Sequence, residues 1–170
     1  AQLGIQKLLI APEAQDFKSG NRPPRKTPYY RFPRELFCPK CRRMHEWDYN
    51  DEKKLAEEGG FPRCVHCIYD SGFKSKLVPM RWVLICADGH LSDINWFQFA
   101  HSNSAENCQH YRKETKKLFF EQNASLGGGL KSLSVKCKHC DAEQNMEHIA
   151  NPALIKSFNQ KCTGEQPWFR

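Results

Sequence analysis

Apolar positions come in short bursts along this chain, separated by charge and turn residues. "MRWVLIC" (80–86) sets Trp82, Val83, Leu84 and Ile85 in series, as a buried strand does. "LSDINWFQFAH" follows, with Leu91, Ile94 and Phe97 at helical spacing, so a strand, a tight turn at Gly89 and an amphipathic helix are predicted. Ser92 or Asp93 is the expected cap of that helix. "KKLFFEQ" and "KSLSVKC" are two further candidate strands, joined by the glycine-rich "SLGGG". "DEKKLAEEGG" has acids at its front and two glycines at its end, which predicts a short helix. "NPALIKSFNQ" predicts another, with Asn151 as the cap and Pro152 in the first turn. "YYRFPRELFC" has extended character, and Pro33 argues against a central strand there. Residues 1–12 suit a strand or short helix, and 13–28, rich in Pro, Gly and charge, suit a linker.

Composition narrows the class. Of 170 residues, 39% are hydrophobic, enough for a small core only. Nine cysteines are many for this length. No secretory leader is visible in "AQLGIQKLLIAPEAQDF", and no run approaches a membrane span. The expectation is a soluble cytoplasmic protein with reduced cysteines, most of them metal ligands, with no membrane partner. The net charge is +7, and it resides in the first 43 residues. Arg22, Arg25, Lys26, Arg31 and Arg34, interleaved with Tyr29, Tyr30 and Phe32, make a basic arm that could follow a phosphate backbone. The plainer reading of the same charge is a solvated segment.

The cysteine spacing is the strongest chemical signal. "CPKC" (Cys38, Cys41) and "CVHC" (Cys64, Cys67) are two knuckles, each able to present both sulfurs to one ion. Zn²⁺ takes four such thiolates tetrahedrally, and the closed shell leaves no open position for catalysis. Neighbouring Lys40, Arg42, Arg43 and Arg63 favour ionised thiols. "CKHC" (Cys137, Cys140) is a third knuckle, and Cys162 follows at a spacing close to that of the first pair of knuckles. Cys108 is the simplest fourth ligand, with His90, Cys86 and His110 as alternatives; His139 is expected to point outward. Two zinc ions are therefore expected.

Cys86 and His90 stand four positions apart and admit three readings: packing at a strand end, a metal pair joined by His101 or His110, or a nucleophile with its base. Once eight cysteines are allotted to two sites, Cys86 is the ninth, and packing is the preferred reading. The tryptophans are expected to serve the core rather than to stack on bases. P-loop, dinucleotide, HExxH and GxSxG signatures are absent from the sequence, so neither a nucleotide-driven enzyme nor a small-molecule substrate is expected.

The order of the segments adds to this. "YRFPRELFCPKC", "CVHC", "LVPMRWVLICADGHLSDINWFQFAH", "GLKSLSVKCKHC" and "CTGEQPW" together resemble the amino-terminal part of the DrmB family, a component of the DISARM anti-phage system. Ile94 and Asn95 stand where the family run has Phe-Pro. The resemblance implies a role beside a helicase subunit in recognising invading DNA. The combined expectation is a small zinc-stabilised α+β fold: a basic arm (1–28), a zinc-ribbon-like module (29–78), and a second module (79–170). In the second, a cysteine cluster sits on a short antiparallel sheet with short helices. The function expected is non-enzymatic; the alternatives are a cysteine hydrolase or metal-dependent nuclease at Cys86/His90, and a ribbon used only for protein–protein contact.

Overall fold

The computed structural model divides the chain into two units, Ala1–Tyr30 and Arg31–Arg170. It describes residues 31–104, 108–158 and 160–167, which all lie within the second unit. The elements expected within 1–28, and Arg22, Arg25 and Lys26, lie outside the described residues.

The described unit is a mixed α+β body of short antiparallel sheets and short helices. Strand β1 (Glu35–Phe37) pairs with β2 (Met44–Glu46) on one side and with β3 (Val78–Pro79) on the other. β1 is thus a central strand, against the expectation from Pro33. The proline lies two residues upstream of it, where the ladder demands no N–H. The expected 78/79 module boundary falls within β3. Helix α1 (Tyr49–Glu58) forms as expected: Asp48 caps it, in a reciprocal capping box with Asp51. Helix α2 (Val65–Ser71) starts on the second knuckle, whose Cys64 sulfur accepts from the Cys67 N–H as the cap. Its two turns are too brief to leave an apolar period in the sequence.

The stretch after "MRWVLIC" differs from expectation. β4 (Val83–Ile85) turns back at Gly89 (φ 79°) and pairs with β5 (Leu91–Asp93) as a hairpin, Val83 facing Asp93 and Ile85 facing Leu91. Helix α3 (Trp96–Ala100) begins only afterwards, and Asn95, not Ser92 or Asp93, caps it by accepting from the Gln98 N–H at 3.0 Å. The competing use of Asp93 explains the shift: its carboxylate accepts from the Arg34 backbone N–H at 3.0 Å and pairs with the guanidinium at 3.2 Å.

The third sheet has the order β6 (Leu118–Gln122), β7 (Leu133–Cys137), β8 (Glu143–Asn145). The first two strands are those expected on either side of the glycine-rich turn. β8 is polar and gave no apolar signal. Helix α4 (Pro152–Ser157) carries the expected cap, Asn151 accepting from Ala153 N–H at 2.8 Å.

The main core lies between α3, the third sheet and α4, and centres on Trp96, Phe99, Leu118, Val135, Met146 and Phe158. Edge-to-face rings run through it: Trp82 on Trp96, Trp96 on Phe99, Phe99 on Phe158. Of the four tryptophans expected to serve the core, Trp96 and Trp82 are in it, Trp47 packs against the smaller core described next, and Trp168 lies outside the described residues. A smaller core joins Leu36 and Leu77 to Cys38, Cys64 and Cys67. The first and third sheets meet where the Phe37 and Phe120 rings pack edge-to-face at 5.0 Å and the Arg42 guanidinium lies over both, 5.0 and 4.9 Å from their centres.

Candidate metal centres

The first cluster gathers Cys38, Cys41, Cys64 and Cys67, all four residues expected. Cys38 directly follows β1, Cys41 lies in the turn toward β2, and Cys64 and Cys67 open α2. Cys38 and Cys67 stand 3.6 Å apart, as do Cys41 and Cys64. That is far beyond the ~2.05 Å of a disulfide and close to the ~3.8 Å edge of a tetrahedron with ~2.3 Å Zn–S bonds. The cluster is held by its surroundings: Cys41 N–H donates to Cys38 Sγ at 3.4 Å, Cys67 N–H to Cys64 Sγ at 3.5 Å, and Ser75 Oγ lies 3.2 Å from Cys38 Sγ. His45 Nε2 sits 3.4 Å from Cys64 Sγ, a contact that no sequence spacing announced.

Electrostatics within the cluster favour a cation. Burial pushes Cys38 up, but the Ser75 hydroxyl and the N–H groups of Cys41 and Lys40 outweigh it and draw the thiol down to about 6. Burial pushes Cys41 up to about 11, and it raises Cys64 and Cys67 as well. One thiolate forms readily and its neighbours resist. A divalent ion removes that conflict by ligating all four. The nearby cations were expected to hold the thiols ionised, but three of them lie on aromatic faces: Lys40 over Phe73, Arg42 over Phe37 and Phe120, and Arg43 over Phe119.

The second cluster gathers His101, Cys108, Cys137 and Cys140. Cys108, Cys137 and Cys140 are as expected, with Cys108 and Cys137 sulfurs 4.0 Å apart. Cys162 is not among them, which corrects the ligand set. The fourth donor is His101, at the end of α3, with Nε2 3.2 Å from Cys140 Sγ. Its Nδ1 lies 2.6 Å from the Phe97 carbonyl, which fixes the proton on Nδ1 and leaves the Nε2 lone pair toward the sulfurs. Burial, then the neighbouring Cys137 and Cys108, raise the Cys140 thiol to about 11. His139 turns outward as expected, stacked on His110 at 3.7 Å and bonded to the Thr115 carbonyl.

Cys162 lies elsewhere because the chain beyond α4 does not return to the third sheet. The segment from Gln160 to Glu165 lies along the β4–β5 hairpin: Leu91 N–H donates to the Glu165 carbonyl at 3.1 Å, and Gln160 Nε2 donates to the Asp93 carbonyl at 2.6 Å. Cys162 therefore meets Cys86 and His90 in a third group. Cys86, expected as packing, is half-buried and faces His90 Nδ1 at 3.3 Å.

Of the expected DNA-contacting arginines, Arg31 is paired with Glu52 at 2.9 Å. Arg34 is shared between Asp93 and Glu165 at 3.2 and 3.0 Å. Both are engaged inside the molecule. No helix among the described residues is long and apolar enough to cross a membrane.

The fold and its clusters define a small α+β module with two four-donor sets, each able to hold one metal ion: one of four thiols, the other of three thiols and an imidazole, both donor chemistries that fit zinc. The chain belongs to the family described as a domain of unknown function (DUF8724), whose model matches residues 1–170. It is also similar to the DISARM protein DrmB of Bacillus paralicheniformis, 29% identical over 140 residues. That match takes in 80% of this chain and 22% of the relative's length, so the chain spans about a fifth of that protein. No solved structure matches it.

Proposed function

We propose that this chain is a non-catalytic, zinc-binding module of a DISARM-type defence protein, and that it acts with a helicase partner in binding invading DNA. The observation that carries the reading is the pair of four-donor clusters in a chain similar to DrmB. A shell of four protein donors leaves a metal no position for substrate, so these centres brace the fold instead of reacting. The helicase and the DNA come from the resemblance, and the basic balance of the first 43 residues supports the second. Because Arg31 and Arg34 are bound to carboxylates, phosphate contact falls to Arg22, Arg25 and Lys26. The reading gives the chain no reaction of its own.

The test is fluorescence-anisotropy titration of DNA with the protein, alone and with the helicase subunit of its defence system, across a salt series. Binding should weaken with salt, by roughly 0.9 log units per log unit of salt for each phosphate engaged. Replacing Arg22, Arg25 and Lys26 with Ala should flatten that slope. Absence of salt-sensitive binding in both preparations overturns the DNA role. Failure to co-purify with the helicase overturns the partnership.

A further inference from the structure

We propose that Cys86, His90 and Cys162 form a third metal site, a three-donor Zn²⁺ site that clasps the 160–167 segment to the β4–β5 hairpin and keeps one coordination position open. The donor atoms lie within 4.8 Å of one another. His90 Nδ1 is 3.3 Å from Cys86 Sγ and 3.6 Å from Cys162 Sγ. These are edge lengths of a tetrahedron around zinc, where Zn–S of ~2.3 Å and Zn–N of ~2.0 Å place donors ~3.5 Å apart.

The local backbone repeats what the other clusters do. In the first cluster each leading sulfur accepts an N–H from two or three residues downstream. Cys86 accepts from the backbone of Asp88, two residues on, and of His90, four residues on, and Cys162 accepts from Gly164 N–H at 3.4 Å. Such amides orient a thiolate and offset its charge before any ion arrives. A residue of positive φ follows two of the knuckles, Arg42 after Cys41 and Asp141 after Cys140, and Gly89 and Gly164 stand in the turns here. Two separate segments thus present sulfur in the same way toward one imidazole.

One imidazole nitrogen facing two sulfurs is a ligand arrangement. A nucleophile and its base would need only one sulfur. The three donors also differ from the closed clusters in their setting. They line a cavity of about 200 Å³ bounded by Leu84, Ile155, Lys161 and Glu165, and Cys162 is exposed. A three-donor site open to a cavity takes water, or an exchangeable small ligand, as its fourth partner. The assignment also accounts for the odd number of cysteines: four in the first set, three in the second, two in the third. It stands apart from the DNA and helicase reading, and either can fail alone.

Metal analysis of protein purified with Zn²⁺ tests it. About three ions per chain are expected, and Cys162→Ser and His90→Ala should each lose one of them while keeping the other two. Cys162 packs into neither core, so its serine variant should fold; retention of the other two ions and of the thermal transition confirms this. His90→Cys should restore the third ion. In Co²⁺-reconstituted protein, the spectral difference between wild type and Cys162→Ser should carry thiolate-to-metal bands that shift on adding azide. An unchanged metal count in both variants overturns the site. So does a wild type holding two ions with Cys86 and Cys162 joined as a disulfide or freely alkylated by iodoacetamide. Azide-insensitive bands overturn the open position.

Discussion

Lys116 carries its ammonium to a place where only 9% of its side chain meets solvent, between Glu35 at 3.1 Å and Glu46 at 2.8 Å. Burial raises the Glu35 carboxyl, and Lys116 opposes that rise. Removing the lysine leaves a buried acid without its cation, so Lys116→Met should cost about 3–5 kcal/mol in denaturant unfolding. Pairing it with Glu35→Leu should recover most of the loss, because two apolar groups need no partner. His101 gives the second prediction at this scale. His101→Ala should remove one zinc from the purified protein and destabilise the third sheet, whereas His101→Cys should retain the ion. Metal analysis beside a thermal melt reads both. The sequence made Cys137 and Cys140 plain because two ligands share one turn. It hid His101, whose place depends on how α3 packs and not on a step along the chain. It hid Cys162 for the opposite reason: a persuasive spacing pointed to a cluster that the chain path never reaches.

Capping and pairing decide the elements. Asp48 accepts from Asp51 N–H at 3.0 Å and from Lys113 Nζ at 2.7 Å, and the Lys113 contact, with the Asp51 N–H, holds its carboxyl down at about 2. Asp48→Asn keeps the cap and removes the charge. A carboxyl depressed in the folded state stabilises above its unfolded value of 3.8 and loses that contribution as pH falls toward about 2. Urea unfolding should therefore find wild type ahead of Asp48→Asn at about pH 6, with the margin shrinking from about pH 4 downward. Two helices were legible from sequence for this reason: α1, with acids at its front and Gly59 behind it, and α4, with Asn151 and Pro152 at its start. The β4–β5 hairpin was not. Leu91–Asp93 has helical spacing with Ile94 and Phe97, and only the reversal at Gly89 and the capture of Asp93 by Arg34 make it a strand.

No element of this body is long: the strands have two to five residues and the helices five to ten. Pieces of that size are marginal alone, and the smaller core consists largely of cysteines. The fold class was readable because many knuckles and little apolar surface imply metal-braced short elements. The meeting of the first and third sheets was not, since it rests on Arg42 over two touching phenylalanines far apart in sequence. Chelation should then unfold the molecule as a whole: stripping metal under reducing conditions is expected to abolish near-ultraviolet circular dichroism, and Zn²⁺ should restore it. Retention of that signal without metal would refute the dependence.

Arg34 ties three distant stretches, its own "RFPR", Asp93 of the hairpin and Glu165 of "CTGEQPW", into one contact. Over evolutionary time such a junction behaves as a single character. A lineage that loses the arginine leaves two carboxylates facing each other, so changes at positions 34, 93 and 165 should be inherited together or not at all.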